Sequence, residues 1–419
     1  GARRANRLES GSIFASGPTV MHIPPLLVVL AAAVAAPVIG ELTRRFGLSI
    51  IMLELALGVL IGPALLGIAH SSEAVGAVAG IGMAFLFFLA GMEIDLAGLR
   101  GKPIVLATLS WGLVFGASWL CAQGFHWLGL VDAWQVLAIA LSTTALGILM
   151  PMLRDSGQID SFFGRVVVAL GVVGEFGPIL LMALLLSQQG DSTQQTLLVL
   201  AFAVIVVLTG WALLRGAGVP RYLRVLERTL TQTSQLPVRV AMLVLAFFAV
   251  LAETFGLDLA LGALAAGLVI KLALQGKSSE LLHHKLEGIG FGFLVPVFFI
   301  NSGMKLEVGA VFGSFAGFGL CLAFLIALLL VHLPVALCLR FTLGPRPAAA
   351  AALYSATTLS LIVALTEMAG RTGLMSPREV TALVLAGVLS VVIFPLLARR
   401  LLAPEARSTL PVFDDRDSL

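Results

Sequence analysis

Apolar residues run along this chain in long stretches, separated by short clusters of charged residues, glycine or proline. A helix needs about 20 apolar residues to cross a bilayer. On that scale the runs predict an all-α polytopic membrane protein of about 13 transmembrane helices. The spans lie near 23–40, 49–68, 77–96, 104–127, 134–152, 166–187, 196–214, 239–255, 258–274, 288–304, 309–341, 347–369 and 380–400. Spans four and eleven are long enough to tilt. A few polar residues fall inside runs instead of between them. Ser142, Thr143 and Thr144 interrupt span five, and Ser355, Thr357, Thr358 and Ser360 interrupt span twelve. Glu175 stands in the middle of span six, within Val172-Val173-Gly174-Glu175-Phe176-Gly177-Pro178.

Composition excludes a water-exposed fold. The 419 residues are 59% hydrophobic and 12% charged, against about 25% charged in soluble chains, and the mean hydropathy is +1.04. A net charge of +3 is too small to suggest a nucleic-acid partner. Cys121, Cys321 and Cys338 lie in apolar runs and suggest no disulfide framework. Gly276-Lys277-Ser278 is not a phosphate loop, because Lys271 stands where the first glycine is needed, so it reads as a loop between spans. The His-Glu-x-x-His motif and a pair of intramembrane aspartates are both missing, which argues against a membrane protease. Neither an enzyme nor a cofactor is expected.

Residues 1–20 are polar, contain Arg3, Arg4 and Arg7, and read as an N-terminal extension foreign to the fold. Residues 21–402 form the membrane domain, and 403–419 a short tail. Loops after odd-numbered spans collect Arg44, Arg45, Arg100, Lys102, Arg154, Arg165, Arg215, Arg221, Arg224, Arg228, Lys277, Lys285, Arg346, Arg399 and Arg400. Loops after even-numbered spans hold little beyond Lys305, Arg371 and Arg378. The positive-inside rule then puts the C-terminus in the cytoplasm and the N-terminus outside, in what is expected to be a bacterial inner membrane.

Short patterns recur in the same order along the two halves. Glu54-Leu55-Ala56-Leu57-Gly58 returns as Asp258-Leu259-Ala260-Leu261-Gly262. Gly80-Ile81-Gly82 with Ala90-Gly91-Met92-Glu93 returns as Gly288-Ile289-Gly290 with Ser302-Gly303-Met304-Lys305. Thr143-Thr144 returns as Thr357-Thr358, and Gly171 and Pro178 have counterparts in Gly387 and Pro395. The shift is seven spans, an odd number, so the halves cross the membrane in opposite directions. The expected organisation is repeat one at 23–187, a linker span at 196–214 and repeat two at 239–402. Inverted repeats are characteristic of secondary transporters, whose substrates bind near the midplane where broken helices meet.

Within that frame Glu175 is the leading chemical candidate. A charged side chain at mid-membrane costs about 2.5–3.5 kcal/mol on insertion scales and persists only beside a wet cavity, a cation or a partner. Such a carboxyl can hold a proton or a small cation, but not both, which suffices for exchange. Gly174 and Gly177 leave room for backbone approach or ion access. The hydroxyls of Ser142, Thr143 and Thr144, and of Ser355, Thr357 and Thr358, can satisfy backbone freed at a break. They are also hard oxygen ligands for Na⁺ or K⁺. His332, in Leu330-Val331-His332-Leu333-Pro334 of span eleven, has an unperturbed pKa of about 6.5 and suits a proton-sensitive role. Glu93, Asp95, Lys305 and Glu307 at span ends read as structural or lining residues, and Glu54, Glu253 and Glu367 receive no role.

These motifs resemble the monovalent cation:proton antiporter-2 family over residues 24–402. The segments that carry the resemblance are Leu57-Gly58-Val59-Leu60-Ile61-Gly62-Pro63, Phe85-Leu86-Phe87-Phe88-Leu89-Ala90-Gly91-Met92-Glu93-Ile94-Asp95, Ala140-Leu141-Ser142-Thr143-Thr144-Ala145-Leu146 and Val295-Pro296-Val297-Phe298-Phe299-Ile300-Asn301-Ser302-Gly303-Met304. The resemblance implies a homodimeric exchanger with a scaffold domain and a mobile core. It places Glu175 at the cation- and proton-binding carboxylate. Spans five and twelve become the crossed, discontinuous pair, and His332 falls at a position where relatives carry lysine or arginine. Departures from the pattern are Gly174-Glu175 where an Asp preceded by Asn, Gln or Asp is usual, His332, and Ser355-Ala356-Thr357-Thr358 in place of an Arg-Gly-Glu segment. They leave Na⁺ against K⁺ selectivity, stoichiometry and pH response open. A channel-like cation pathway and a non-transporting membrane sensor remain the alternatives.

Overall fold

The computed structural model describes residues 24–42, 49–93, 101–146, 161–187, 234–255, 259–273 and 277–402, with isolated positions between 149 and 159 and between 202 and 209. Among them every regular element is a helix. In chain order these are α1 (Pro25–Leu42), α2 (Ile50–Ile61), α3 (Glu73–Glu93), α4 (Lys102–Trp127), α5 (Trp134–Leu141), α6 (Phe162–Ser187), α7 (Leu236–Thr254) and α8 (Leu259–Ala273). Then follow α9 (Lys277–Ile289), a π-helical turn (Gly290–Leu294), α10 (Val295–Met304), α11 (Val308–Phe312), α12 (Phe315–Val331), α13 (Leu333–Leu343), α14 (Pro345–Ser355), α15 (Ser360–Arg371) and α16 (Pro377–Leu401).

Nine helical segments among the described residues are long and apolar enough to cross a membrane. They coincide with expected spans one, three, four, six, eight and ten to thirteen. Spans two and nine appear as the shorter apolar helices α2 and α8. Span five stops at Leu141, and span seven lies outside the described residues. Asp95 and residues 1–20 and 403–419 also lie outside them.

Two sequence expectations change. The stretch from Lys277 to Ile289 is not a loop but α9, which runs through the π-helical turn into α10, so span ten begins about a dozen residues earlier. His283 therefore lies in a span, which the apolar pattern concealed because α9 is polar. Span eleven is divided at His332 into α12 and α13. Pro334 has no N–H to continue the ladder of hydrogen bonds and sits in the first turn of α13.

Small residues set the tightest crossings. Gly58 of α2 and Gly303 of α10 face each other, and a Cβ at either would strike the other helix's backbone, at Ile300 O and Leu55 O. Gly91 of α3 and Gly267 of α8 do the same against Leu264 O and Phe88 O. Without lipid-phase hydrophobic attraction, close backbone approach supplies the dispersion contacts that hold helices together. Leucines and phenylalanines such as Leu109, Leu120, Phe247 and Phe341 remain exposed on the outer faces of α4, α7 and α13, as lipid contact requires. By contrast, the α14–α15 segment is almost wholly buried. The broken segment that carries Thr357 and Thr358 is thus in the middle of the molecule.

Candidate functional site

Helix α5 ends at Leu141 and the chain is non-helical from Ser142 to Ala145. Helix α14 ends at Ser355, and Thr357 and Thr358 are likewise non-helical before α15 begins at Ser360. Both expected breaks are therefore present, and they cross. Thr143 Oγ1 and Thr358 Oγ1 lie 2.7 Å apart. Thr143 gives its hydroxyl hydrogen to Ala140 O at 2.7 Å, so in the pair Thr358 donates and Thr143 accepts. Thr144 Oγ1 donates to Ser355 O at 2.7 Å, and Ala145 N–H donates to Thr357 O at 2.9 Å. Ser142, Thr143, Thr144, Ser355, Thr357 and Thr358 are all buried. Each break frees backbone groups in a dry setting, where an unsatisfied group is costly, and the opposite break answers several of them.

Helix α6 closes the remaining side. Thr144 N–H donates to Gly174 O at 2.9 Å. Gly174 is needed for that approach, since a Cβ there would lie 2.5 Å from Thr144 Oγ1 and 2.7 Å from Thr144 Cβ. One residue on, half-buried Glu175 accepts the Leu146 N–H through Oε2 at 3.2 Å. The carboxylate thus sits on the N–H of Leu146, the first helical residue after the break. Helix N-termini favour negative charge. Gly177 does not open an ion path: its Cα face is covered by the Trp111 ring. Trp111 also donates Nε1–H to Ser142 O at 3.1 Å, which satisfies a carbonyl at the end of α5.

Sequence reasoning missed two contributors. Trp111 is one, because an aromatic in an apolar run carries no signal of its polar contact. Ser390 of α16 is the other. Its Oγ accepts the Thr358 N–H at 3.2 Å and lies 2.9 Å from Thr358 O and 2.8 Å from Gly387 O. A lone serine three residues after Gly387 in an apolar span was the available clue.

The other candidates stand apart. His332 is buried at the α12–α13 junction, its Nδ1 donates to Leu328 O at 2.8 Å, and its Nε2 has no hydrogen-bond partner among the described residues. Nothing in the described hydrogen bonding joins it to Glu175. Lys305 and Arg371 both pair with Glu367, at 2.6 and 3.1 Å, so Glu367 ties α15 to the end of α10. Glu54 is buried in α2.

Comparison with other proteins gives the chain a family. The sodium/hydrogen exchanger transmembrane model matches residues 29–403. The chain belongs to the sodium/hydrogen exchanger family. This exchanger-family chain is 26% identical over 410 residues to YjbQ of Bacillus subtilis, a protein named for Na⁺/H⁺ antiport. That alignment covers 93% of this chain and 65% of YjbQ, so this chain spans under two thirds of that relative. It is 28% identical over 373 residues to the Na⁺/H⁺-K⁺ antiporter GerN of Bacillus cereus, covering 85% of this chain and 90% of GerN. Its fold matches that of the sodium proton antiporter MjNhaP1 from Methanocaldococcus jannaschii, with TM-score 0.62 and 16% identity, over 92% of this chain and 98% of that one. Family and fold are those expected from the motifs.

Proposed function

We propose that this chain is a secondary transporter that exchanges protons for Na⁺ or K⁺ by alternating access. Cation and proton compete for the Glu175 carboxylate. The observation that carries the reading is the position of Glu175 where α5 has unwound, its Oε2 already on the Leu146 N–H. There a proton neutralises the carboxylate, and a cation does the same while drawing on nearby oxygens. Ser142, Thr143 and Thr144 are the proposed oxygen donors of the first break. Ser355, Thr357 and Thr358 hold the second break against it. Obligatory exchange follows if the empty carboxylate is too poorly solvated to move between faces uncompensated.

The same reading includes an inverted pair of repeats, at about 23–187 and 239–402. Reciprocal packing supports it: Gly58 and Gly91 of the first stretch pack against α10 and α8 of the second. It also includes an inner-membrane location with the N-terminus outside, supported by the distribution of Lys and Arg, and a homodimer. His332 is proposed as a proton-sensitive group, since its Nε2 is uncommitted among the described residues.

The test is exchange in proteoliposomes with an imposed proton gradient and Na⁺ or K⁺ added in turn. Glu175→Gln keeps the size and much of the hydrogen bonding but cannot carry charge. It is expected to abolish exchange while the protein stays folded in detergent. Exchange at the native rate in Glu175→Gln would remove the assignment. Voltage-driven cation flux without proton movement would favour a channel instead. For His332→Ala the expected result is a displaced pH profile, and an unchanged one removes its role.

A further inference from the structure

The end of α3 and the face of α9 carry a second constellation that the exchange reading does not use. Glu93 is the last residue of α3. His283 and Glu287 are four residues apart on α9, the spacing that puts two side chains on one helix face. One ligand atom from each of Glu93, His283 and Glu287 lies within 4.8 Å of the others. All three are partly buried, with side-chain exposures of 21% for His283 and 34% for Glu287.

We propose that Glu93, His283 and Glu287 form a site for a divalent transition-metal ion of the zinc class, bridging α3 and α9. One imidazole nitrogen and two carboxylate oxygens are ligands of that class, and three protein ligands leave a coordination position for water. Zinc binds nitrogen and oxygen at about 2.0–2.2 Å, which puts tetrahedral ligands about 3.4 Å apart. The three side chains need to close by up to about 1.4 Å, within reach of rotamer adjustment. Two further observations support a ligand here. The imidazole is already aimed at the cluster, with Nε2 3.2 Å from Glu287 Oε1, and its Nδ1 is buried with no hydrogen-bond partner among the described residues. The two carboxylates face one another closely enough for their charges to interact, a repulsion that a dication removes. The charge of Lys271 on α8 reaches His283 and opposes binding, which favours a cation held by the imidazole over one held by charge alone. His284 Nδ1 lies 3.0 Å from Glu287 Oε2 and must release that oxygen if it is used.

Occupancy would fix the end of α3 against α9. It would also neutralise Glu93, whose charge reaches Glu175. The ion would therefore act as an inhibitor of the exchange proposed above, without being its cargo.

Metal-stripped protein in detergent is titrated with Zn²⁺ against a fluorescent zinc chelator, a readout independent of transport. The wild type is expected to take up one equivalent and to gain thermal stability with Zn²⁺, while Mg²⁺ in excess does not displace it. Glu93→Gln, His283→Ala and Glu287→Gln are each expected to weaken uptake by at least about 10-fold and to abolish the Zn²⁺-dependent thermal shift. His70→Ala, at an exposed position elsewhere, is expected to bind like the wild type. No uptake by the wild type, unchanged uptake in His283→Ala and Glu287→Gln, or loss in His70→Ala would each overturn the site. Zinc binding with no exchange activity would instead count against the transport reading alone.

Discussion

The two helix breaks that meet at the centre of this protein are built alike but closed differently. In both, a short helix ends in hydroxyl residues, Ser142-Thr143-Thr144 after α5 and Ser355-Ala356-Thr357-Thr358 after α14. In both, the freed backbone is answered first by the opposite break. The difference lies in the long helix behind each one. Behind the first stands α6, which offers the Gly174 carbonyl to Thr144 and the Glu175 carboxylate to Leu146. Behind the second stands α16, which offers only the Ser390 hydroxyl to Thr358. The offset that relates Gly171 to Gly387 carries Gly174 to Ser390 and Glu175 to Val391. Where one side holds an acid, the other holds a buried valine. Charge is confined to one break, and the other is held by neutral hydrogen bonds. One carboxylate at a crossing can be neutralised by one proton or one monovalent cation. Two carboxylates there would repel each other and change the number of charges carried.

The sharpest way to break this asymmetry without touching the acid is Gly174→Ala. The added methyl would sit 2.5 Å from Thr144 Oγ1, on a turn already fixed by three hydrogen bonds. Overpacking of this kind costs about 1–3 kcal/mol. It pushes Thr144 away from α6 and takes Leu146 N–H off Glu175. Exchange in proteoliposomes is expected to fall by about 10-fold or more, the effect of about 1.4 kcal/mol on a barrier. Gly387→Ala is the matched variant on the neutral side. Its Cβ would be 3.1 Å from Thr358 O, a contact relieved by a small shift, so its loss is smaller. Equal losses in the two would mean that the breaks are interchangeable.

Much of this arrangement was legible in the residues. Glu175 announces itself because a carboxyl in an apolar run has no bland explanation of comparable weight. The breaks were legible because clustered hydroxyls at two corresponding places in long apolar runs mark freed backbone. What closes the breaks was not. Gly174 O is a backbone atom, and no residue type signals which carbonyl will be used. Trp111 and Ser390 look like ordinary members of apolar helices, and only the packing of α4 and α16 against the breaks gives them polar work. Polar α9 was lost for the opposite reason. Its Lys, Ser, Glu and His residues read as a loop, although it continues through a π-helical turn into α10. The same misreading hid His283, and with it the second constellation.

On the neutral side the next effect in size belongs to Ser390→Ala. The Thr358 N–H loses its acceptor in a fully buried place, and leaving such a donor unpaired costs about 1–3 kcal/mol. Thermal unfolding in detergent should register the loss. Exchange is expected to persist at a reduced rate, because the carboxylate and its Leu146 contact are untouched. Abolished exchange with unchanged stability would place Ser390 in the ion site itself and undo the division between a charged and a neutral break.

The hydroxyl pair that joins the two sides gives a finer measurement. Thr143→Val and Thr358→Val each remove one end of the 2.7 Å contact, and the double variant removes both. A double-mutant cycle on thermal stability is expected to return a coupling of about 0.5–1.5 kcal/mol, the net worth of one neutral hydrogen bond. A coupling near zero would mean that the pair is merely adjacent. The crossing would then rest on the Ala145 N–H to Thr357 O bond and the Thr144 hydroxyl to Ser355 O bond.

Trp111→Phe carries the smallest expected effect and isolates one contact on the charged side. Phenylalanine preserves an aromatic surface over Gly177 and can keep the stacking on Phe115, whose ring centroid is 5.8 Å from that of Trp111. It removes the Nε1–H that reaches Ser142 O at 3.1 Å and shortens the ring system that covers Gly177. A single neutral bond of this kind contributes about 0.5–1.5 kcal/mol. Stability should drop by that amount, with exchange lowered a few-fold at most. Trp111→Ala is the contrasting variant, since it also empties the space against Gly177 and adds a cavity cost of about 3–5 kcal/mol. If Trp111→Phe were as damaging as Trp111→Ala, the Ser142 carbonyl would have to depend on that one donor. The end of α5, rather than the position of Glu175, would then be what limits the charged break.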